Sequence, residues 1–507
     1  MLFILFLELA DHVIFHNRFV STQLLLQYLS MADIYVTPYP RKEQITSGTL
    51  SYAVGAGKAV VSTPYWHAEE LLADGRGVLV DFENPDALAQ AIIWLLDNEF
   101  ERNAIRKRAY NYSRHMVWEK VSLQYVNLGE EIAQQHASRP KPIRPRDPVD
   151  KLEDLPAPNL LHMRVLTDDN GILQHAYYTI PDRNHGYSLD DNARALIVSC
   201  LYYKQCPDDQ FIPLIQTYLS FLHYAFNPGI GRFRNFMSYH RIWLEQCGSE
   251  DSHSRALWGL GVAVKTSPTE SIRDVSARIF RDAIHACETF TSIRALAYAV
   301  VGCNAYLEVY SGDSIVRRIR NEISMRIFDA FKKYATEDWP WFEDKVTYAN
   351  GIIPLALMLA GQWIPNLEMH AMGVKSLRWL LKIQTAEEGH LSVIGNQQWL
   401  TKGGIRAKFD QSPLEPMCLI LACCQAYLSM QDPTWISEAQ RCLDWYLGRN
   451  DLNLCLVSFK TGGCSNGLNP EGISPHQGAE ATLSWLISLL SVRELISRQP
   501  PSGPSGA

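Results

Sequence analysis

The sequence predicts two unlike parts: an α/β domain with a doubly wound parallel sheet, then an all-α ring of helix pairs. Three observations predict this. Residues 1–137 alternate short β-branched runs with helical stretches, the pattern of a parallel sheet covered on both faces. Residues 138–158, SRPKPIRPRDPVDKLEDLPAP, are dense in proline and charge and lack aromatics, which is linker chemistry. Residues 159–497 lose almost every strand signal and carry about eleven or twelve helices, paired at a period near 55–60 residues, as in a toroid built from helical hairpins. The last ten residues, 498–507, read as a disordered tail.

In chain order, Val13-Ile14-Phe15, Ile34-Tyr35-Val36, Ala59-Val60-Val61 and Val78-Leu79-Val80 read as buried parallel strands. Helices fall at 21–30, 50–56, 68–73 and 85–98. Four strands are fewer than the six or so of a full dinucleotide-binding domain, so this one is expected to be truncated at its front. The apolar start, Met1 to Leu9, carries Glu8 and lacks a basic n-region, which favours a buried element over a signal peptide. In the helical part, inner-type helices start near Ser188, Ser252, Ser292, Thr347, Ser412 and His476. Outer helices occupy 210–225, 272–288, 315–334, 367–384 and 436–448.

Composition excludes several functions. The 507 residues hold 47 Lys+Arg against 54 Asp+Glu, a net charge of -7 with no basic stripe, so neither nucleic acid nor a membrane surface is an expected partner. The 11 cysteines all lie between Cys200 and Cys464. Their odd number and the lack of a C-x-x-C pair point to a reducing, cytoplasmic setting. No apolar run is long enough to span a membrane. His12 and His16 bracket an apolar strand that would point their rings apart, and no other spacing suits a metal. Neither metal nor cofactor is expected.

From Ala32 to Ile92 the chain reads ADIYVTPYPRKEQITSGTLSYAVGAGKAVVSTPYWHAEELLADGRGVLVDFENPDALAQAI. Ser47-Gly48-Thr49 open a helix after a strand and loop, where free N–H groups and the dipole suit a diphosphate. The segment resembles the donor-binding half of group 1 retaining glycosyltransferases of GT-B fold. The resemblance implies a nucleotide sugar as ligand, with Glu43 on the donor sugar and Gly48, Thr49 and Leu50 beside the diphosphate. It departs from that family where Tyr52 replaces the second glutamate. The upstream basic pair has no counterpart, and the acceptor-binding domain is expected to be missing.

The phrases HGYSLDDNARAL, GSEDSHSRALWGLG, WPWFEDKVTYANGIIPLAL, KFDQSPLEP and TGGCSNGLNPEGISPHQGAEATLSWL each precede or open an inner helix. This half resembles the six-hairpin glycosidases, whose (α/α)6 toroid holds glycans in a cleft at one end. Parallel inner helices would gather these phrases on one rim, and carboxylates with aromatic platforms suit cleavage of a glycosidic bond. The expected catalytic residues are Asp251 and Glu480, then Asp191, Asp410 and Glu415. Glu480, opening an apolar helix, is expected to be the acid and Asp251 the ionised partner. Tyr187, His253, Arg255, Trp341, Glu343, Tyr348 and His476 are the expected substrate-binding residues. Acids in first helical turns are also favoured by the dipole alone, at about 0.3–1 kcal/mol, so Asp190 and Glu250 read equally as caps. The function expected is a carbohydrate-active protein whose toroid cleaves an oligosaccharide. One alternative is sugar transfer by the α/β domain when another chain supplies its missing half; the other is a glycan-binding or scaffold toroid without turnover.

Overall fold

The computed structural model describes residues 9–44, 46–137, 155–364 and 366–498. The chain divides into two compact units, Met1–Lys141 and Pro142–Ala507. Most of the proline-rich segment, the first eight residues and the tail beyond residue 498 lie outside the described residues.

In the first unit three parallel strands, β1 (Ile34–Thr37), β2 (Ala59–Ser62) and β3 (Val78–Leu79), lie side by side in that order. β1 pairs with β2 from Ile34↔Ala59 to Thr37↔Ser62, and Val61 of β2 pairs with Val78. β2 is buried throughout, as a central strand must be. Its side chains alternate between two cores: Val60 packs with Leu50, Ala53 and Leu71, while Ala59 and Val61 pack with Leu95 and Ile105. Helix Gly48–Gly55 therefore covers one face and helix Pro85–Asp97 the other, while helix Glu99–Ser113 reaches both cores, through Ala109 and Ile105. The expected strand at Val13-Ile14-Phe15 does not form. These residues are exposed, Ile14 at 84 %, and with no neighbouring strand to complete a ladder a β-branched triplet has nothing to pair with.

The second unit is an (α/α)6 toroid. Its inner helices are Leu189–Gln205, Glu250–Thr266, Ile293–Leu307, Ile352–Trp363, Leu414–Met430 and Ala479–Ser497. Each packs on the next, and the sixth packs back on the first, which closes the ring. Five long outer helices, Ile212–Ala225, Glu270–Ala283, Ser314–Tyr334, Leu367–Ile383 and Thr434–Tyr446, alternate with them. The short helix Leu161–Leu166 packs on the sixth inner helix and completes the sixth hairpin.

Inner and outer helices differ as their positions demand. Every residue of Ile293–Leu307 is buried, whereas Glu270–Ala283 buries one face only. The second and third inner helices touch at Gly261 and Gly302. A Cβ at Gly261 would stand 2.3 Å from the Gly302 carbonyl oxygen, so the contact requires glycine. The first three inner helices start where serine N-caps dictate: Ser188, Ser249 and Ser292 each accept a backbone N–H of their own first turn. Short two-stranded ribbons shape the loops before these starts, including Tyr187–Ser188 with Phe236–Met237 and Lys345–Val346 with Leu400–Thr401. No helix among the described residues is long and apolar enough to cross a membrane.

Candidate active site

Because the inner helices share one direction, the residues before and within their first turns surround a common opening. Three neighbouring lobes of about 280, 330 and 630 Å³ that share wall residues form a cleft there, in the size range of small-ligand sites. Glu480 joins the first and second lobes, Arg255 and Tyr348 the first and third, and Asp190 and Phe236 the second and third.

Two buried arginines organise its carboxylates. Arg194, in the second turn of the first inner helix, lies 3.3 Å from Asp191 Oδ1 and 3.0 Å from Glu480 Oε2. Its side chain is only 1 % exposed, so both ionic contacts are strengthened by the low local polarity. Arg255, one helix on, donates to Asp190 Oδ2 at 2.9 Å and stands 3.7 Å from Asp251 Oδ2. Asp251 also accepts the hydroxyls of Ser292 (2.7 Å) and Tyr348 (2.5 Å). Burial and the Asp251 hydrogen bond push the Tyr348 phenol up to about 12, so it remains a donor.

Asp191 is the cleft carboxyl with the most altered chemistry. Its N–H is bound by Ser188 Oγ, and Ser188 in turn donates to Asp191 Oδ2 at 2.6 Å. Burial raises its pKa to about 7; Arg194 opposes the rise, and Glu480 adds to it. Glu415 is also raised by burial, although it accepts the Asn350 N–H at 2.9 Å and the Gln384 amide at 3.3 Å. Glu480, by contrast, is half exposed.

Several expected site residues lie elsewhere. Tyr187 is buried, and its hydroxyl donates to Asp168 at 2.6 Å. His253 is wholly buried, donating from Nε2 to the Ala283 carbonyl and accepting the Phe233 N–H; burial pushes it down to about 3, so it stays neutral. Trp341 is fully buried and donates to the Lys345 carbonyl. These are packing residues: aromatic content near a helix start does not separate a cleft wall from the core behind it. Glu343 pairs with Arg294 at 2.6 Å and lines none of the three lobes. Asp410 has a left-handed backbone (φ 63°), its carbonyl accepts the Asn396 N–H, and it too lines none of them. His476 packs against Tyr177 and Tyr178 and accepts the Tyr178 N–H. Glu250 lines the third lobe and accepts the N–H groups of Thr291 and Ser292, just before the third inner helix. The sequence reading missed Arg194, His175, Asn396 and Trp399, all on the cleft wall. The signal for Arg194 was present, since Asp190–Arg194 and Asp251–Arg255 repeat the same i,i+4 spacing. Among the described residues no group of three or more His, Cys, Asp or Glu is placed to hold a metal.

In the α/β unit, Ser47 caps helix Gly48–Gly55 by accepting the Leu50 N–H. Glu43 and Gly48 are exposed and Thr49 is half-buried, whereas the Leu50 side chain is wholly buried in the core. Open space surrounds Gly48 where a Cβ would stand.

Residues 4–98 match the family model described as group 1 glycosyl transferases. An uncharacterized glycosyltransferase of Methanocaldococcus jannaschii is 29 % identical over 103 residues, 20 % of this chain and 26 % of that protein, so the chain spans about a quarter of this relative. The toroid has counterparts among solved structures. Cellobiose 2-epimerase from Spirochaeta thermophila superposes with a TM-score of 0.52 at 13 % identity, over 67 % of this chain and 94 % of that one. A D-mannose isomerase gives 0.53 at 8 % identity, over 66 % and 94 %. The chain thus joins a glycosyltransferase-like α/β region to an (α/α)6 toroid of the fold these sugar-converting enzymes share.

Proposed function

We propose that the toroid binds a glycan across the three lobes and cleaves a glycosidic bond there, with Asp191 as proton donor and Glu480 as the ionised partner. The observation that carries this reading is the asymmetry around Arg194. Two carboxyl groups meet one guanidinium, yet one is buried and raised to about 7 while the other is half open to the cleft. Carboxyl groups whose environments push them apart are suited to separate acid and base roles. Asp251, clamped by Ser292, Tyr348 and Arg255, orients substrate hydroxyls rather than moving protons. The test is release of new reducing ends from neutral oligosaccharides, following Asp191→Asn and Glu480→Gln beside the wild type. A loss of about 10²-fold or more in both variants supports the assignment, and unchanged turnover in either sinks it.

A second reading, glycan binding without turnover, is favoured by the arginine pairing. Arg194 and Arg255 between them meet Asp190, Asp191, Asp251 and Glu480. Measurable affinity for the same oligosaccharides with no bond cleavage or epimerised product would select it. For the α/β unit we propose a nucleotide sugar as ligand, its diphosphate at the start of helix Gly48–Gly55 and its sugar near Glu43. The family match over residues 4–98 and the open space at Gly48 support this. Calorimetric titration with UDP- and GDP-sugars tests it, and Gly48→Val should abolish any binding seen.

A further inference from the structure

The first lobe of the cleft has an unusual wall. Trp399 lines it with a left-handed backbone, φ 53°, and so does Ala349 on the facing loop, φ 47°. A bulky side chain is an outlier in that region, where glycine or asparagine sits at lower cost. Such a conformation persists only where the surroundings over-determine it, and here they do. The pairs Lys345↔Thr401 and Val346↔Leu400 zip the two loops together beside Trp399. The Trp399 N–H donates to the Gly395 carbonyl, and its own carbonyl accepts the Ala407 N–H. Gly395 is locked in turn, since a Cβ there would stand 1.7 Å from the Phe409 carbonyl oxygen.

The Trp399 ring packs partly on the toroid core and its Nε1–H donates to Asn396 Oδ1 at 3.4 Å, while part of it still lines the lobe. Trp341 and Trp445 are fully buried fillers, whereas Trp399 is half-buried, with its ring beside Tyr348 at 6.5 Å between centroids. Asn396, Glu415, Arg255 and Glu480 line the same lobe. An aromatic wall in the same lobe as hydrogen-bonding groups suits a neutral pyranose ring, with apolar C–H on one side and hydroxyls around its rim.

We infer that Trp399 is a stacking platform for one neutral hexopyranose ring in the first lobe, presented by a strained loop pinned to the strand before Tyr348. The inference rests on the glycan reading of the cleft. The probes are cellobiose and mannobiose, titrated calorimetrically into the full chain, with Trp399→Ala, Trp399→Phe and Trp399→Gly compared. Trp399→Ala should weaken whichever disaccharide the wild type holds by about 10-fold or more, and Trp399→Phe should stay within about 3-fold of wild type. Trp399→Gly should bind as poorly as Trp399→Ala yet melt about 2–4 °C above it, because glycine accepts the left-handed backbone. A purely structural tryptophan would not part affinity from stability in this way. Wild-type affinity in Trp399→Ala, or melting of Trp399→Gly no higher than Trp399→Ala, overturns this inference alone. A wild type that binds neither these nor other neutral disaccharides overturns the glycan reading beneath it.

Discussion

Asp191→Asn separates a proton-donating carboxyl from a helix cap through pH dependence. In the folded protein burial holds Asp191 protonated up to about 7, whereas in the unfolded chain it ionises near 3.8. The native state therefore keeps one proton that the unfolded state has lost throughout that window, so stability falls as pH rises through it. A gap of roughly three pH units corresponds to on the order of 4 kcal/mol, present in full below the lower value and lost above the upper one. Asparagine has nearly the same volume and can still accept from Arg194 or Ser188, but it carries no titrating proton. The variant thus differs from wild type by a constant offset plus this pH-dependent part. Urea unfolding of both proteins between pH 4 and pH 8 should show the variant gaining on wild type by several kcal/mol up to about pH 7, then levelling off. Turnover by wild type should fall above about pH 7 as the donor loses its proton, and the variant should be inactive throughout. A stability difference that stays flat across the window would show that Asp191 ionises normally in the folded protein, and the acid assignment would go with it.

Three further outcomes are expected. Arg194→Met should remove the cation that opposes the rise of Asp191, moving the alkaline limb of any pH–rate profile upward. His253→Ala should destabilise the toroid by about 2–4 kcal/mol while leaving kcat within about 2-fold, because the ring is a neutral core group bonded to Ala283 and Phe233; a large loss of kcat in a folded variant would return His253 to the site. Glu250→Ala should lower stability by about 1–2 kcal/mol in urea unfolding, through two freed N–H groups at Thr291 and Ser292.

What the sequence made legible follows from how local each signal is. Serine before an apolar run marks a helix start whatever the tertiary context, because the cap is satisfied within three residues; Ser188 and Ser292 were readable for that reason. The sheet strands at Ile34, Ala59 and Val78 were readable because each β-branched run alternates with a helical stretch, although only Ala59–Ser62 is buried throughout and the two flanking strands are half-buried to exposed. Val13-Ile14-Phe15 has the same composition without a partner strand, and composition cannot supply one. Helices Glu99–Ser113 and Trp118–Ala137 escaped notice because polar and charged residues interrupt their apolar stripes.

The site was less legible because it depends on closure of the ring. Glu480 reaches Arg194 across 286 residues of sequence, and Tyr348 reaches Asp251 across 97. Neither pairing has a local signature, so burial could not be assigned in advance. Glu480 opens an apolar inner helix, yet it is half exposed, because the N-terminal turn of an inner helix faces the cleft while the turns below face the core. Asp191 carries a cap-like local pattern, yet it is the buried group, because Ser188 folds back over it and Arg194 closes its other side. What the tertiary structure contributes is the exchange of burial between these two residues, Asp191 inside and Glu480 half open. Local sequence marks candidate side chains near the inner-helix starts, and burial, set by neighbours from the far side of the ring, decides which of them face the cleft and which lie in the core behind it.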